Sequence, residues 1–153
     1  MRIGIISDTH GLLRPEARQA LSGVQLIIHA GDVGAPEILT QLKLIAPVFA
    51  VRGNVDTQPW AQELPLSTVV ETSGFNFYVL HNLRDLDLKP HAAGFDAVIS
   101  GHTHQAAERH EAGLLYLNPG SAGPRRFQLP VTLALLDLAK KPWRVEIVPL
   151  LAP

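Results

Sequence analysis

Cysteine is absent from all 153 residues. That excludes a disulfide scaffold, thiolate metal ligation and a cysteine nucleophile, so any metal here is held by nitrogen and oxygen. A surplus of charge is also missing: 18% of residues are charged and the net charge is −1. Proteins that grip nucleic acid through many phosphate contacts carry a basic excess, so nucleic acid is not expected as a partner. No window approaches the ~20 consecutive apolar residues of a membrane-spanning helix. The N-terminal stretch MRIGIISDTHG holds an apolar run too short for a signal-peptide core. The expectation is a soluble, cytoplasmic protein with no membrane partner. What is present is ordinary for a globular chain: 46% apolar residues. The length fits a single domain, residues 1–153, with a substantial core.

The first third alternates strand and helix signals. RIGII (2–6), QLIIHA (25–30) and PVFAVRG (47–53) read as strands. Between them, PEARQALSG (15–23) and APEILTQLKLI (35–45) carry an early proline and, in the second, Ile38, Leu42 and Ile45 at helical spacing. This βαβαβ order argues for parallel strands. The second half changes character. STVVET and FNFYVLH flank the turn residues SG, and AAERHE and LLYLN flank AG, so each pair predicts a hairpin. LRDLDLKPHAAG predicts a short helix ending before Pro90. FDAVISG, VTLALLDL and WRVEIVPL supply the remaining strands. The fold class is α/β, either one mixed sheet or two packed sheets with helices outside.

Polar residues gather where these strands end. SDTHG brings Asp8 and His10, HAGD brings Asp32, and RGNVD brings Asn54 and Asp56. His81 follows FNFYVL, and GHTH brings His102 and His104 after FDAVIS. Sites in α/β sheets collect beyond the carboxyl ends of strands. In extended chain, residues two apart project to the same side, so Asp8 with His10, and His102 with His104, can each aim two ligands into one space. Gly31, Gly53 and Gly101 would let the backbone turn sharply beside an ion. Carboxylate, amide oxygen and imidazole suit Mn, Fe, Zn, Ni or Co. Five strand ends offering such ligands point to a metal site far more strongly than any one D-x-H or H-x-H.

The ordered set D-x-H, G-D, G-N-x-D, H and G-H-T-H closely resembles the calcineurin-like metallophosphoesterase superfamily. NPGSAGPRR (118–126) is similar to its small bacterial and archaeal YfcE-type phosphodiesterase branch. The resemblance implies a four-layer αββα sandwich of two mixed sheets. It implies two divalent ions, Mn²⁺ favoured, with Ni²⁺, Zn²⁺, Fe²⁺ and Co²⁺ as alternatives. Asp8, His10 and His104 would hold one ion and Asn54, His81 and His102 the other, with Asp32 bridging both. A hydroxide between the ions would attack the phosphorus of a small phosphoester. Asp32, Asn54 and Arg52 take catalytic roles in this scheme. Arg52, Asn118 and Arg125 are its candidate substrate contacts; for Asn118 a pure turn role stays open, and for Arg125 a solvated face.

Two departures bear on the chemistry. Many members carry G-N-H-D at the third motif, and its histidine is a usual leaving-group acid; here Val55 stands in its place. Branch members usually read H-G-H at the fourth motif, where this chain has Leu83 after His81 and Asn82. Neither replacement donates a proton, which predicts weak, broad activity strongest on activated diesters. A phosphomonoesterase or nucleotidase, and a non-catalytic scaffold like the retromer subunit of this fold, are the rival readings. His29 reads as a buried residue supporting the site rather than a ligand, and Asp56 as a loop brace or a partner of Arg52. Trp60 fits either the substrate mouth or a homo-oligomer contact, and Trp143 fits the core.

Overall fold

A computed structural model describes residues 1–152. Two five-stranded sheets pack face to face. The first has the order β10-β9-β1-β2-β3, with β1 (Arg2–Ile6), β2 (Leu26–His29), β3 (Val48–Ala50), β9 (Thr132–Asp137) and β10 (Arg144–Pro149). β1, β2 and β3 are parallel, and β9 and β10 run antiparallel to their neighbours. The second has the order β4-β5-β6-β8-β7, with β4 (Ser67–Thr72), β5 (Phe75–Leu80), β6 (Ala97–Ile99), β7 (Ala107–Glu111) and β8 (Leu114–Asn118). β4/β5 and β7/β8 form the two expected hairpins, while β5, β6 and β8 are parallel.

The two-residue period of a strand decides which side chain enters which layer. Ile3, Ile5, Leu26 and Ile28 face the second sheet and meet Phe77, Val79, Ile99 and Leu117 in the central core. Trp143 joins them, edge-on to Phe75 and Phe77. The alternate residues Ile27, Leu133 and Leu135 face outward, against Ala17 and Leu21 of α1 (Pro15–Ala20) and Ile38 and Leu42 of α2 (Pro36–Lys43). On the far side, Tyr78, Val98, Leu114 and Tyr116 are covered by Leu86 and Phe95. This fourth layer is an irregular segment. The helix expected from Leu83 and ending by Lys89 is only the 3₁₀ turn Leu83–Asp85, because Leu86 and Phe95 need no helical period to reach the sheet. Trp60 packs against the outer cluster beside α2. Among the described residues, no helix is long and apolar enough to cross a membrane.

Candidate metal centre

The exit loops of β1, β2 and β6 are strained. Asp8, His10, Asp32, His102 and His104 all have positive φ, between 46° and 74°. Left-handed backbone at a non-glycine residue costs about 1–3 kcal/mol and persists where the surroundings enforce it, typically at functional sites. Here that conformation turns side chains from three loops toward one point. Asp8 Oδ1 lies 3.3 Å from His104 Nε2 and 3.8 Å from both His10 Nε2 and His81 Nε2. Asp32 Oδ2 lies 3.1 Å from His81 Nε2 and 3.7 Å from His10 Nε2. The Nε2 atoms of His10 and His104 approach to 3.3 Å. Asp8 with His10 and His104, and Asp8 with Asp32 and His81, each form a group whose ligand atoms could share an ion. Asn54 Oδ1 and His102 Nδ1 stand 3.1 Å apart at the more exposed side.

The donor set fits a divalent cation. Asp8 is fully buried, yet its Oδ1 has no hydrogen-bond partner, and His81 Nε2 meets only the Asp32 carboxylate, at 3.1 Å. A buried carboxylate oxygen facing three imidazole nitrogens is costly unless something positive joins them. Ligands ~2.0–2.2 Å from one ion sit ~3–3.5 Å from one another, close to the spacing seen. The other edge of Asp8, His81 and Asp32 is already occupied. Asp8 Oδ2 accepts from Ser7 Oγ at 2.7 Å and from the His102 N–H at 3.1 Å. His81 Nδ1 donates to the Ala30 carbonyl at 2.7 Å, which leaves the Nε2 lone pair for the centre. Asp32 Oδ1 accepts from the Val55 N–H at 3.0 Å.

The electrostatics follow from this crowding. Burial raises the pKa of Asp8 against the pull of His81, Ser7 and His104. Burial alone would raise Asp32 too, but the His81 contact and the Val55 N–H hold it below its usual value. Burial lowers His10 and His104, and the positive charge of Arg126 adds to that depression. His81 shows the reverse: Asp32 and Asp8 outweigh its burial, and its pKa is raised.

Several expectations gain physical detail. His29 is fully buried and both ring nitrogens are engaged: Nδ1 accepts from the Gly31 N–H at 3.1 Å, and Nε2 meets Thr9 Oγ1 at 3.0 Å. The Thr9 hydroxyl donates to the Val33 carbonyl at 2.7 Å, so Nε2 carries the proton. This chain ties the loop of Asp8 and His10 to that of Asp32. Burial depresses His29 to about 3, so the ring stays neutral. The folded pKa is below the unfolded ~6.5, so stability from this site is intact above ~6.5 and declines as pH falls toward about 3. Between pH 7 and pH 5 the expected loss is about 2 kcal/mol. In urea titrations of metal-stripped protein, His29→Gln should show a pH dependence smaller by that amount. An equal dependence in both proteins would refute the assignment. Asp56 braces loops without touching Arg52: its carboxylate accepts from the N–H groups of Val33, Gly34 and Gly53.

The candidate substrate residues divide. Arg52 borders a cavity together with Asn54 and His81, and its buried Nε has no partner. Asn118 instead braces the GHTH loop, donating to the Gly101 carbonyl and Thr103 Oγ1 and accepting from the Gly120 N–H. Arg125 donates to the Ala152 carbonyl and lines a cavity beside Phe127 and Leu150, none of which belongs to the metal cluster. Its neighbour Arg126 is the cation felt at His10 and His104. PRR lies in a loop with no periodicity, so nothing in the sequence distinguishes the two arginines. Ser7 and Thr9, which lock the Asp8 loop, have no sequence signal beyond adjacency to Asp8.

A family model described as the calcineurin-like phosphoesterase superfamily domain matches residues 1–141. A relative from Methanothermobacter thermautotrophicus, named "Probable metallophosphoesterase", is 40% identical over 150 residues, covering 88% of this chain and 85% of its own. A phosphodiesterase of Methanocaldococcus jannaschii is 30% identical, over 97% of this chain and 99% of its own. Among solved structures, one described as a novel archaeal phosphodiesterase superposes with a TM-score of 0.80 at 27% identity, covering 97% of this chain and all of that one.

Proposed function

This chain belongs to the calcineurin-like phosphoesterase superfamily, and on that basis we propose that it is a phosphodiesterase that works with two divalent ions, Mn²⁺ favoured. Asp8, His10 and His104 would hold one ion and Asn54, His81 and His102 the other, with Asp32 available to both. The observation that carries this reading is the buried, unpartnered Asp8 Oδ1 facing three imidazole Nε2 atoms. A phosphodiesterase name on a relative matched end to end supports the diester preference.

When bound, such ions neutralise charge on the phosphoryl oxygens and lower the pKa of water. The chain's own part is positioning. Ser7 and the His102 N–H fix one Asp8 oxygen so that the other points inward. The Ala30 carbonyl fixes the tautomer of His81. Arg52, its guanidinium held by Gln62, lines the cavity beside Asn54 and His81 and adds positive charge there, and Arg126 adds the positive charge felt at His10 and His104.

The leaving group receives no help from the chain at the familiar positions, since Val55 and Leu83 are both exposed and carry no proton. General-acid catalysis contributes ~10²–10⁴-fold, so an aryl diester should turn over at least ~10²-fold faster than a dialkyl diester. Comparable rates on the two would overturn this part. The function itself is tested by assaying metal-stripped protein on bis(p-nitrophenyl) phosphate and p-nitrophenyl phosphate with Mn²⁺, Ni²⁺ and Zn²⁺ in turn. Metal-dependent turnover of the diester is expected. Turnover of the monoester alone would make the protein a phosphatase, and no turnover of either with any metal would return it to the scaffold reading.

A further inference from the structure

Two cavities open onto the candidate centre, and a single short turn divides them. One, of about 530 Å³, reaches the centre at Asn54 and His81 and is bordered by Arg52, Tyr78, Asp85 and Asp87. The other, of about 630 Å³, reaches it at His102 and is bordered by Leu83, Arg84, Arg109 and Tyr116. Asn82 belongs to both. The 3₁₀ turn Leu83–Asp85 thus presents Leu83 and Arg84 to one cavity and Asp85 to the other. Each is large enough for a sizeable organic group.

Their chemistry differs. Tyr78, Val98, Tyr116 and Arg109 are cross-strand neighbours on the outer face of the second sheet. The Arg109 guanidinium sits over the Tyr116 ring, 4.1 Å from its centre. A guanidinium stacked on an aromatic ring is a flat, delocalised plate, and its own outer face is open because Arg109 is exposed. The edge of the Arg109 guanidinium is paired with the Glu111 carboxylate, which leaves its face for stacking, and Arg84 adds a second, separate cation to the lining. In the first cavity, Asp85 and Asp87 face one arginine, which is bonded to Gln62, and Tyr78 is engaged edge-on by Phe95.

A phosphodiester has two arms to seat. We propose that the second cavity is the subsite for one arm, and that it selects a flat aromatic group of the nucleobase class, stacked on the Arg109–Tyr116 plate. Stacking surfaces of this kind accept any base, because every base has a π-face. This inference rests on the phosphodiesterase reading and names the substrate class of that same site.

Methyl phosphodiesters, slow to cleave for want of a leaving-group acid, are suitable probes. Calorimetry on the Mn²⁺-loaded full chain would compare thymidine 5′-(methyl phosphate), cyclohexylmethyl methyl phosphate and dimethyl phosphate. The nucleoside ester should bind about tenfold more tightly than either of the others. Arg109→Ala and Tyr116→Leu should each remove most of that gain. Arg109 is exposed, so its removal leaves the core intact, and circular dichroism of both variants checks the fold. Equal binding of the cyclohexylmethyl ester would show a cavity for apolar bulk and overturn the proposal, as would a nucleoside gain that survives both substitutions. Turnover of bis(p-nitrophenyl) phosphate, measured alongside, reports on the phosphodiesterase reading separately.

Discussion

Asp8→Asn is expected to raise the unfolding temperature of the metal-stripped protein while abolishing its metal-dependent turnover. The two effects have one cause. Asp8 is fully buried, its pKa is raised chiefly by burial, and Oδ1 has no partner. Without a cation, that charge opposes folding at neutral pH. An amide keeps the useful half of the contact, since its oxygen still accepts from Ser7 Oγ and the His102 N–H. Its NH₂ then faces the imidazole Nε2 of His104 in place of a stranded oxygen. Relief of one unsatisfied buried group is worth about 1–3 kcal/mol, or roughly 2–4 °C per kcal/mol for a chain of this size. Turnover should fall ~10²–10³-fold or more, the lower bound being the scale of losing one preorganised electrostatic group. Added Mn²⁺ at a thousandfold above its Kd should stabilise the wild type by about 4 kcal/mol and the variant by far less. A metal-stripped variant that melts below the wild type would contradict this account of Asp8.

The second large effect is expected from one methyl group. A Cβ on Gly101 would stand 2.0 Å from Ser7 Oγ and 2.7 Å from Asp8 Oδ2. Ser7 is fully buried and bonded to Asp8 and the Gly31 carbonyl, so it has nowhere to move. Overpacking of this kind costs about 1–3 kcal/mol, and loss of a hydrogen bond to a charged group adds about 1.5–3 kcal/mol. Gly101→Ala should therefore lose about 3–5 kcal/mol of stability. Disturbing the groups that orient a ligand should also weaken metal binding about 10–100-fold. Adding Ser7→Gly should restore part of the stability, because it removes the nearest clash. A Gly101→Ala protein within ~0.5 kcal/mol of the wild type, the range of neutral surface changes, would show that the loops are looser than described.

Gly101 also shows where sequence reasoning reaches and stops. Glycines beside the ligands were expected to serve sharp turns. Gly31 does have positive φ, at 102°. Gly53 and Gly101 do not; they are small because Asp32 and Ser7 lie against their backbones. Close approach between loops far apart in the chain has no local signal. The strands were legible, since alternation and turn residues are local patterns. That Ile3 and Ile5 meet a second sheet, while Ile27 faces the helices, follows from alternation once the layers are known. The segment after His81 forms no helix beyond one 3₁₀ turn, because its apolar residues cover a sheet without needing a helical period.

The candidate ligands were legible as a set because each closes a strand. Their geometry was not. Left-handed backbone at five of them depends on the packing of loops drawn from both sheets. The arginine nearest the histidines could not be picked from PRR, and the turn that separates two cavities could not be seen from LHNLRD. Both depend on which way an irregular segment faces, which only tertiary contacts decide.

Crystals grown with Mn²⁺ and measured for anomalous scattering test the dinuclear centre most directly. Two peaks are predicted about 3.5–4 Å apart. One should touch Asp8, His10, Asp32 and His104, and the other Asp32, Asn54, His81 and His102. A single peak, or peaks away from Asp32, would contradict it.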